Sequence, residues 1–385
     1  MTLHTSVKST ALEPRAGTAL SRRILTVYGM VVLTVALGIF FAVLRPDTFP
    51  TELNFRLLAS GKAVLLVLAL AVSVPMVAGK IDLSVGYAVG LWQVLALSFQ
   101  IQGMDYRLAI GLVLLGGAVV GAVNALLVEL AQVDAFIATL ATGQVINAIT
   151  YWHTGGRQIT DIDGRRAQAF DQLATWSIGF VPGAFVIAIV LAFALWVVLE
   201  FSPVGRYLYA VGANPKAAEL VGVRRRSYIV GAMVTSGVLA AIAGVLLSSR
   251  QAGVVQANIG PEFLLPALAA AFLGSTTIRP GRVNAWGTVL GVVVTTMGIS
   301  GLQQLLPGRF YLEPLFNGLT LVAAITIASL ASRRRLASAE RHQATDPPAS
   351  AGDGSVPTPP PGRSTDDAGA DGAREPVQQP EGSTT

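Results

Sequence analysis

Few side chains in this sequence are placed for bond chemistry. There is no cysteine, so neither a disulfide framework nor a thiolate metal site can form. The three histidines, His4, His153 and His342, lie too far apart to form a metal cluster. No apolar span holds the paired acids or the Ser-His arrangement that acid–base or nucleophilic catalysis requires. No G-x-x-x-x-G-K-[ST] phosphate loop occurs, so energy from ATP has to come from a separate subunit. No catalytic, cofactor-binding or metal site is expected.

What remains are polar residues set in apolar sequence. Residues 77–86 read VAGKIDLSVG, and across 57–104 the only charges are Lys62, Lys80 and Asp82. A charge at the bilayer centre costs about 2.5–3.5 kcal/mol, so Lys80 and Asp82 need a special environment or a place at a turn. The stretch 57–101 is more than twice what crosses a core of about 30 Å, so the chain must turn back within it. Gly79 and Pro75 mark the turn. Asp82 can cap the following helix by accepting from amides around Ser84 and Val85. Two readings stay open: a tight turn with a cap, or a turn sunk into a helix bundle against a solute path or gate.

Further polar residues inside apolar spans are Asn124, Glu129, Gln144, Asn147, Thr150 and Asn317. Such groups face a bundle interior, where they mark a path or bond between helices. Glu129 lies near a span end and is expected at an interface. Trp92, Trp152, Trp176 and Trp286 suit either interfacial belts or the wall of a path.

The elements that must position these residues follow from composition. The chain has 385 residues, 52% hydrophobic and 13% charged, about half the charge of an ordinary soluble domain. Breaking the apolar runs at charges, Pro and Gly gives about ten transmembrane helices: 24–44, 57–79, 83–101, 108–131, 135–152, 177–199, 228–248, 263–277, 284–305 and 312–331. The fold class is all-α, a polytopic membrane protein. The first span is too long for a signal-peptide core and reads as retained. The eighth is short, holds Pro266 and reads as broken or partly spanning.

With the N-terminus inside, the inner segments hold 18 Lys and Arg and the outer ones 8. That bias puts both termini in the cytoplasm. The net charge of +5 is spread over short loops, which fits membrane topology and not nucleic acid. Three regions result: a cytoplasmic segment 1–23, a transmembrane domain 24–331, and a Pro-, Gly- and Ser-rich tail 332–385 expected to be disordered. Arg333, Arg334 and Arg335 stop the last span at the inner surface.

Within the inner connection 200–227 Asn214 can cap a helix and Pro215 suits its first position. Lys216, Ala217, Ala218 and Glu219 continue that helix and Gly222 can end it, with Arg224, Arg225 and Arg226 facing the inner lipid surface. Such a helix is either a docking element or only a basic connector.

Three stretches in order resemble one known family. GKIDLSVG (79–86), VGANPKAAELVGV (211–223) and LPALAAAFLGSTT (265–277), with Gly281, Trp286 and Gly287 behind the last, are similar to segments of the permease subunits of ribose-type ABC importers, in the branched-chain amino acid and sugar permease superfamily. The likeness spans 24–331. Glu262, Leu264, Pro266 and Ser275 depart from the family's pattern around the Ala-rich run. The resemblance implies a pore for a monosaccharide or related polyol, built from this chain and a second permease copy or paralogue. It implies an ABC ATPase subunit inside and a sugar-binding protein outside the cytoplasm. Residues 214–223 would be the ATPase-coupling segment. Lys80, Asp82, Ser84, Asn124, Gln144 and Asn147 are the candidates for gate or path. The alternatives are a permease for branched-chain amino acids or another small solute, and an ion-coupled secondary transporter.

Overall fold

Each of the ten apolar segments carries a helix, and short polar residues set where several begin. Thr51 caps α2 (Glu52–Val77), Asp105 caps α4 (Tyr106–Glu129) and Asp134 caps α5 (Ala135–Thr154), each accepting from an amide of the first turn. A cap of this kind contributes about 1 kcal/mol. The computed structural model describes residues 16–279 and 281–345. The expectations for 1–15 and for 346–385 lie outside the described residues.

The other helices are α1 (Ala16–Leu44), α3 (Ser84–Ile101), α6 (Gln168–Thr175), α7 (Gly183–Phe201), α8 (Pro203–Ala213), α9 (Pro215–Leu220), α10 (Arg225–Arg250), α11 (Leu264–Gly274), α12 (Ala285–Leu305) and α13 (Leu312–Thr345). A 3-10 turn, Gly260–Phe263, leads into α11. Four two-residue strands make two small antiparallel pairs, β1 (Ile159–Thr160) with β4 (Val254–Val255) and β2 (Ser177–Ile178) with β3 (Val181–Pro182). The β1–β4 pair ties the segment after α5 to the segment after α10.

The protein is an all-α polytopic membrane protein. Among the described residues six helices, α2, α3, α4, α7, α10 and α12, are long and apolar enough to cross a bilayer. α5 is as long, but its Thr, Gln and Asn side chains make it less apolar. The 260–274 unit is too short to cross: 15 residues of helix rise about 22 Å against a core of about 30 Å. The shortness read from the sequence is thus observed.

Burial separates central helices from peripheral ones. Every residue from 63 to 72 of α2 is buried, so this part of α2 has no outer face, whereas Leu53 and Leu57 in its first turns are exposed. α4 buries Ala109, Val113, Gly117, Gly121, Ala125 and Val128 on one stripe and exposes Leu112, Leu115, Val119 and Val123 on the other. Apolar on both faces, it suits a lipid-facing position. Its Gly117 sits against α10, where an added Cβ would lie 2.5 Å from the Gly237 carbonyl oxygen, so small residues permit this crossing.

The chain divides into two units, 1–335 and 336–385. In the second, only the helical backbone of 336–345 is described. Helix thus continues beyond residue 331, through sequence that composition alone assigned to the tail; Arg, Leu, Ala, Glu and Gln there are good helix formers. Composition also left α6 and α8 unnoticed. Ser202 followed by Pro203, a cap and a first-turn proline, was the available signal for α8.

Candidate functional site

The break between α2 and α3 is built by local sequence. Pro75 in the last turn of α2 still offers its carbonyl, which accepts from the Ala78 and Lys80 amides at 2.9 and 3.0 Å. Gly79 adopts φ +74°, the left-handed conformation that ends helices and that glycine tolerates best. Gly79 faces Gly212 of α8, so this corner lies at the end of the bundle that carries α8 and α9.

From there the chain turns inward, and Asp82 is fully buried. Its Oδ1 accepts from the Ser84 amide (3.0 Å), the Ser84 hydroxyl (2.6 Å) and Asn124 Nδ2 (3.4 Å). Its Oδ2 accepts from the Ser236 hydroxyl of α10 (2.9 Å). Asn124 also donates to Ser84 Oγ at 2.8 Å, while its own Oδ1 is buried without a partner. Thr139 of α5 secures the backbone beside the carboxylate: its Oγ1 accepts from the Leu83 amide at 3.0 Å and donates to the Ala135 carbonyl at 2.7 Å. One carboxylate therefore joins the start of α3 to α4 and α10, with α5 holding the adjoining peptide.

Helical rise gives its depth. Asn124 lies about 7 Å along the axis from the end of α4, Thr139 about 6 Å from the start of α5, and Ser236 about 16 Å from the start of α10. The turn is therefore sunk into the bundle, and Leu83, not Asp82, is the cap residue of α3. Asp82 accepts from the first-turn amide of α3, and it does so one to three turns below the α8–α9 end. Burying a carboxylate costs several kcal/mol. Hydrogen bonds to the charged form contribute about 1.5–3 kcal/mol each, and the N-terminus of α3 adds up to about 2 kcal/mol. No Lys or Arg pairs with Asp82 among the described residues.

Lys80, two residues earlier, is elsewhere. It is half-buried and lines a cavity of about 250 Å³ with Met76, Phe272 and Gly281. Gln144 and Asn147 also stand apart from the carboxylate. Gln144 is exposed on α5 and donates to the Tyr87 hydroxyl at 3.0 Å; Asn147 is half-exposed one turn further on. So Asp82, Ser84 and Asn124 form one cluster, and Lys80, Gln144 and Asn147 do not join it. Thr139 and Ser236 complete the cluster and were missed, because hydroxyls in apolar helices ordinarily bond their own backbone one turn back and give no signal.

A second cluster sits at the α8–α9 end. Asn214 caps α9 by accepting from the Ala217 amide at 3.1 Å, Pro215 is its first residue, and Gly222 follows with φ +83°. Asn214, Pro215, Lys216, Ala217, Glu219 and Gly222 are exposed, while Ala218 is buried beneath them. Beside them Leu220 is 89% and Val221 79% exposed. Arg225 does not face lipid as expected. It bonds Glu219 (2.7 Å) and Glu129 (3.1 Å), two carboxylates that attract it more strongly than a surface would. Glu129, the last residue of α4, is buried within the protein at 2% exposure.

The connection before α12 clasps the same end. Arg279 makes a bidentate pair with Glu200 at the end of α7. The Arg282 guanidinium lies 3.8 Å over the Tyr209 ring, and the Tyr209 hydroxyl donates to the Val283 carbonyl at 2.7 Å. Burial pushes the Tyr209 phenol above its ordinary pKa, so it stays a donor.

Among known proteins, residues 56–330 match the family described as branched-chain amino acid transport system / permease component. The ribose import permease protein of Bacillus subtilis is 35% identical over 295 residues, covering 76% of this chain and 89% of the relative. The ribose import permease protein of Haemophilus influenzae is 29% identical over 306 residues, covering 78% and 94%. The galactose/methyl galactoside import permease protein of Escherichia coli is 29% identical over 324 residues, covering 79% and 94%. No solved structure matches. The match covers well over half of the chain and includes both clusters, and the chain belongs to the branched-chain amino acid transport system / permease component family.

Proposed function

We propose that this chain is the membrane-spanning permease subunit of an ATP-driven importer for a monosaccharide or related polyol, delivered by a binding protein outside the cytoplasm. The observation that carries this reading is the run of import permeases for ribose, galactose and allose that align with three quarters or more of the chain. The family's description names branched-chain amino acids, but the sugar names of these relatives favour a sugar.

ATP hydrolysis is assigned to a separate ABC ATPase subunit. In this reading all ten apolar segments lie in the membrane, both termini and α9 face the cytoplasm, and the ATPase docks on α9. The support is the basic bias of the inner connections and the exposed, apolar tip formed by Leu220 and Val221. Asn214, Pro215, Lys216, Ala217, Ala218, Glu219 and Gly222 form the coupling element. A second permease copy or paralogue completes the path, with Gln144 and Asn147 on its wall, since polar groups on an exposed helix face are costly against lipid. Lys80, Asp82, Ser84 and Asn124 act at the gate, where outward- and inward-open states differ.

A second reading, ion-coupled secondary transport, draws on Asp82, a buried carboxylate with no cation beside it. One experiment separates the two. In vesicles loaded with the permease, its ATPase and its binding protein, disabling the ATPase motif abolishes sugar uptake if the first reading holds. Uptake that persists and follows an ion gradient overturns it.

A further inference from the structure

At the end of the bundle away from α9, a cavity of about 560 Å³ opens between α2, α7 and α12. Its volume is that of a small-molecule site. Four phenylalanines line it, and three of them pack together. Phe55 meets Phe180 edge-on at 5.5 Å and Phe185 at 6.3 Å between centroids. Leu66 and Val292 also line it.

Two polar groups lie at one level part-way down. Gln304 of α12 donates to Asn54 of α2, which sets the two antiparallel helices in register. Eight residues further along each, Lys62 and Thr296 come level, and both line the cavity. The Lys62 ammonium donates to Glu313 at 2.9 Å and has no other partner among the described residues, which leaves two donors unused. Their charges cancel. Thr296 is 8% exposed, and its hydroxyl has no partner. A buried, unpartnered hydroxyl costs about 1–3 kcal/mol, and a ligand oxygen would relieve it.

We propose that this cavity is a binding site for a neutral aromatic molecule bearing one carbonyl oxygen, its rings among the phenylalanines and its oxygen accepting from Lys62 and Thr296. A sugar fits poorly, because apolar walls would strip hydroxyls on all sides of their hydrogen bonds. An anion fits poorly, because Glu313 already neutralises Lys62. The site is distinct from the polar face of α5, and it does not depend on which solute the protein carries. Because α2 runs directly into the 78–83 break, an occupant between α2 and α12 is placed to bias that break.

Benzophenone is a neutral diaryl ketone that cross-links under ultraviolet light, and it serves as the probe. Full-length protein in lipid nanodiscs is irradiated over a concentration series, and adducts are mapped by peptide mass spectrometry. Saturable labelling of peptides containing residues 49–66 and 292–297 is expected. Filling the cavity with Ala59→Trp should remove that labelling. Thr296→Val, a swap of similar shape, should weaken half-saturation about threefold, the factor carried by one net hydrogen bond. Labelling that never saturates and matches that of the lipid-facing α4 residues Leu115 and Val119 overturns the proposal. So does labelling unchanged by Thr296→Val, which decides the matter alone if Ala59→Trp does not fold.

Discussion

Asp82 and Glu129 are both buried carboxylates within a few turns of the same end of the bundle, yet they are held by opposite means. Glu129 has a cation: Arg225 binds it and continues to the exposed Glu219, making a short ion ladder between α4, α9 and α10. Asp82 has only neutral donors, from Ser84, Asn124 and Ser236, and the start of α3. An ion pair is strong but unforgiving, since losing one member strands a charge. A ring of neutral donors loses one bond at a time and leaves the carboxylate free to exchange partners when helices shift. The ladder suits a fixed joint, and the Asp82 ring suits a joint that must move.

That contrast sets the order of expected effects. Arg225→Met should be the most destabilising, by about 3 kcal/mol, because Glu129 is left buried and unpaired. Thermal unfolding in lipid–detergent micelles measures it, and Glu129→Leu added to Arg225→Met should restore most of the loss. If Arg225→Met alone is harmless, the ladder is not a joint. Ser236→Ala should cost about 1.5 kcal/mol, one hydrogen bond to a charged group, and should leave assembly with the ATPase intact.

Asp82→Asn keeps the shape of the ring but alters its charge, so stability should hold while sugar uptake falls about tenfold, equivalent to about 1.4 kcal/mol between states. Normal uptake with lowered stability would make Asp82 only a structural anchor. Glu219→Gln should lower stability by only about 0.5 kcal/mol, less than Ser236→Ala, because its side chain is half exposed. Raising salt should erase the Glu219 effect and spare the Ser236 effect, since exposed charges are screened and buried ones much less so.

Much of this arrangement could be read along the chain. Length alone requires a break in 57–101, and Pro75, Gly79 and Asp82 identify its place. Asn214, Pro215 and Gly222 delimit α9 because caps and left-handed glycine act within a few residues, without reference to the rest of the fold. The shortness of the apolar helix ahead of α12 was legible in the same way. Its apolar run is simply too short.

Pairings over long sequence separations were not legible. Whether Ser236 would face Asp82, 154 residues away, depends on how α10 is rotated against α3 and α4. That rotation follows from close crossings such as Gly117 on Gly237, and hydropathy carries no such information. Arg225 illustrates the same limit. Among three consecutive arginines, only the packing of α4 beside α10 shows that one of them meets Glu129. The sequence by itself determined the apolar segments, the break, the α9 cap and the family, because these depend on local composition and on order along the chain. Tertiary structure decided the depth of Asp82 and whether each buried carboxylate meets a cation or neutral donors, because a carboxylate's energy depends on the groups the fold places around it.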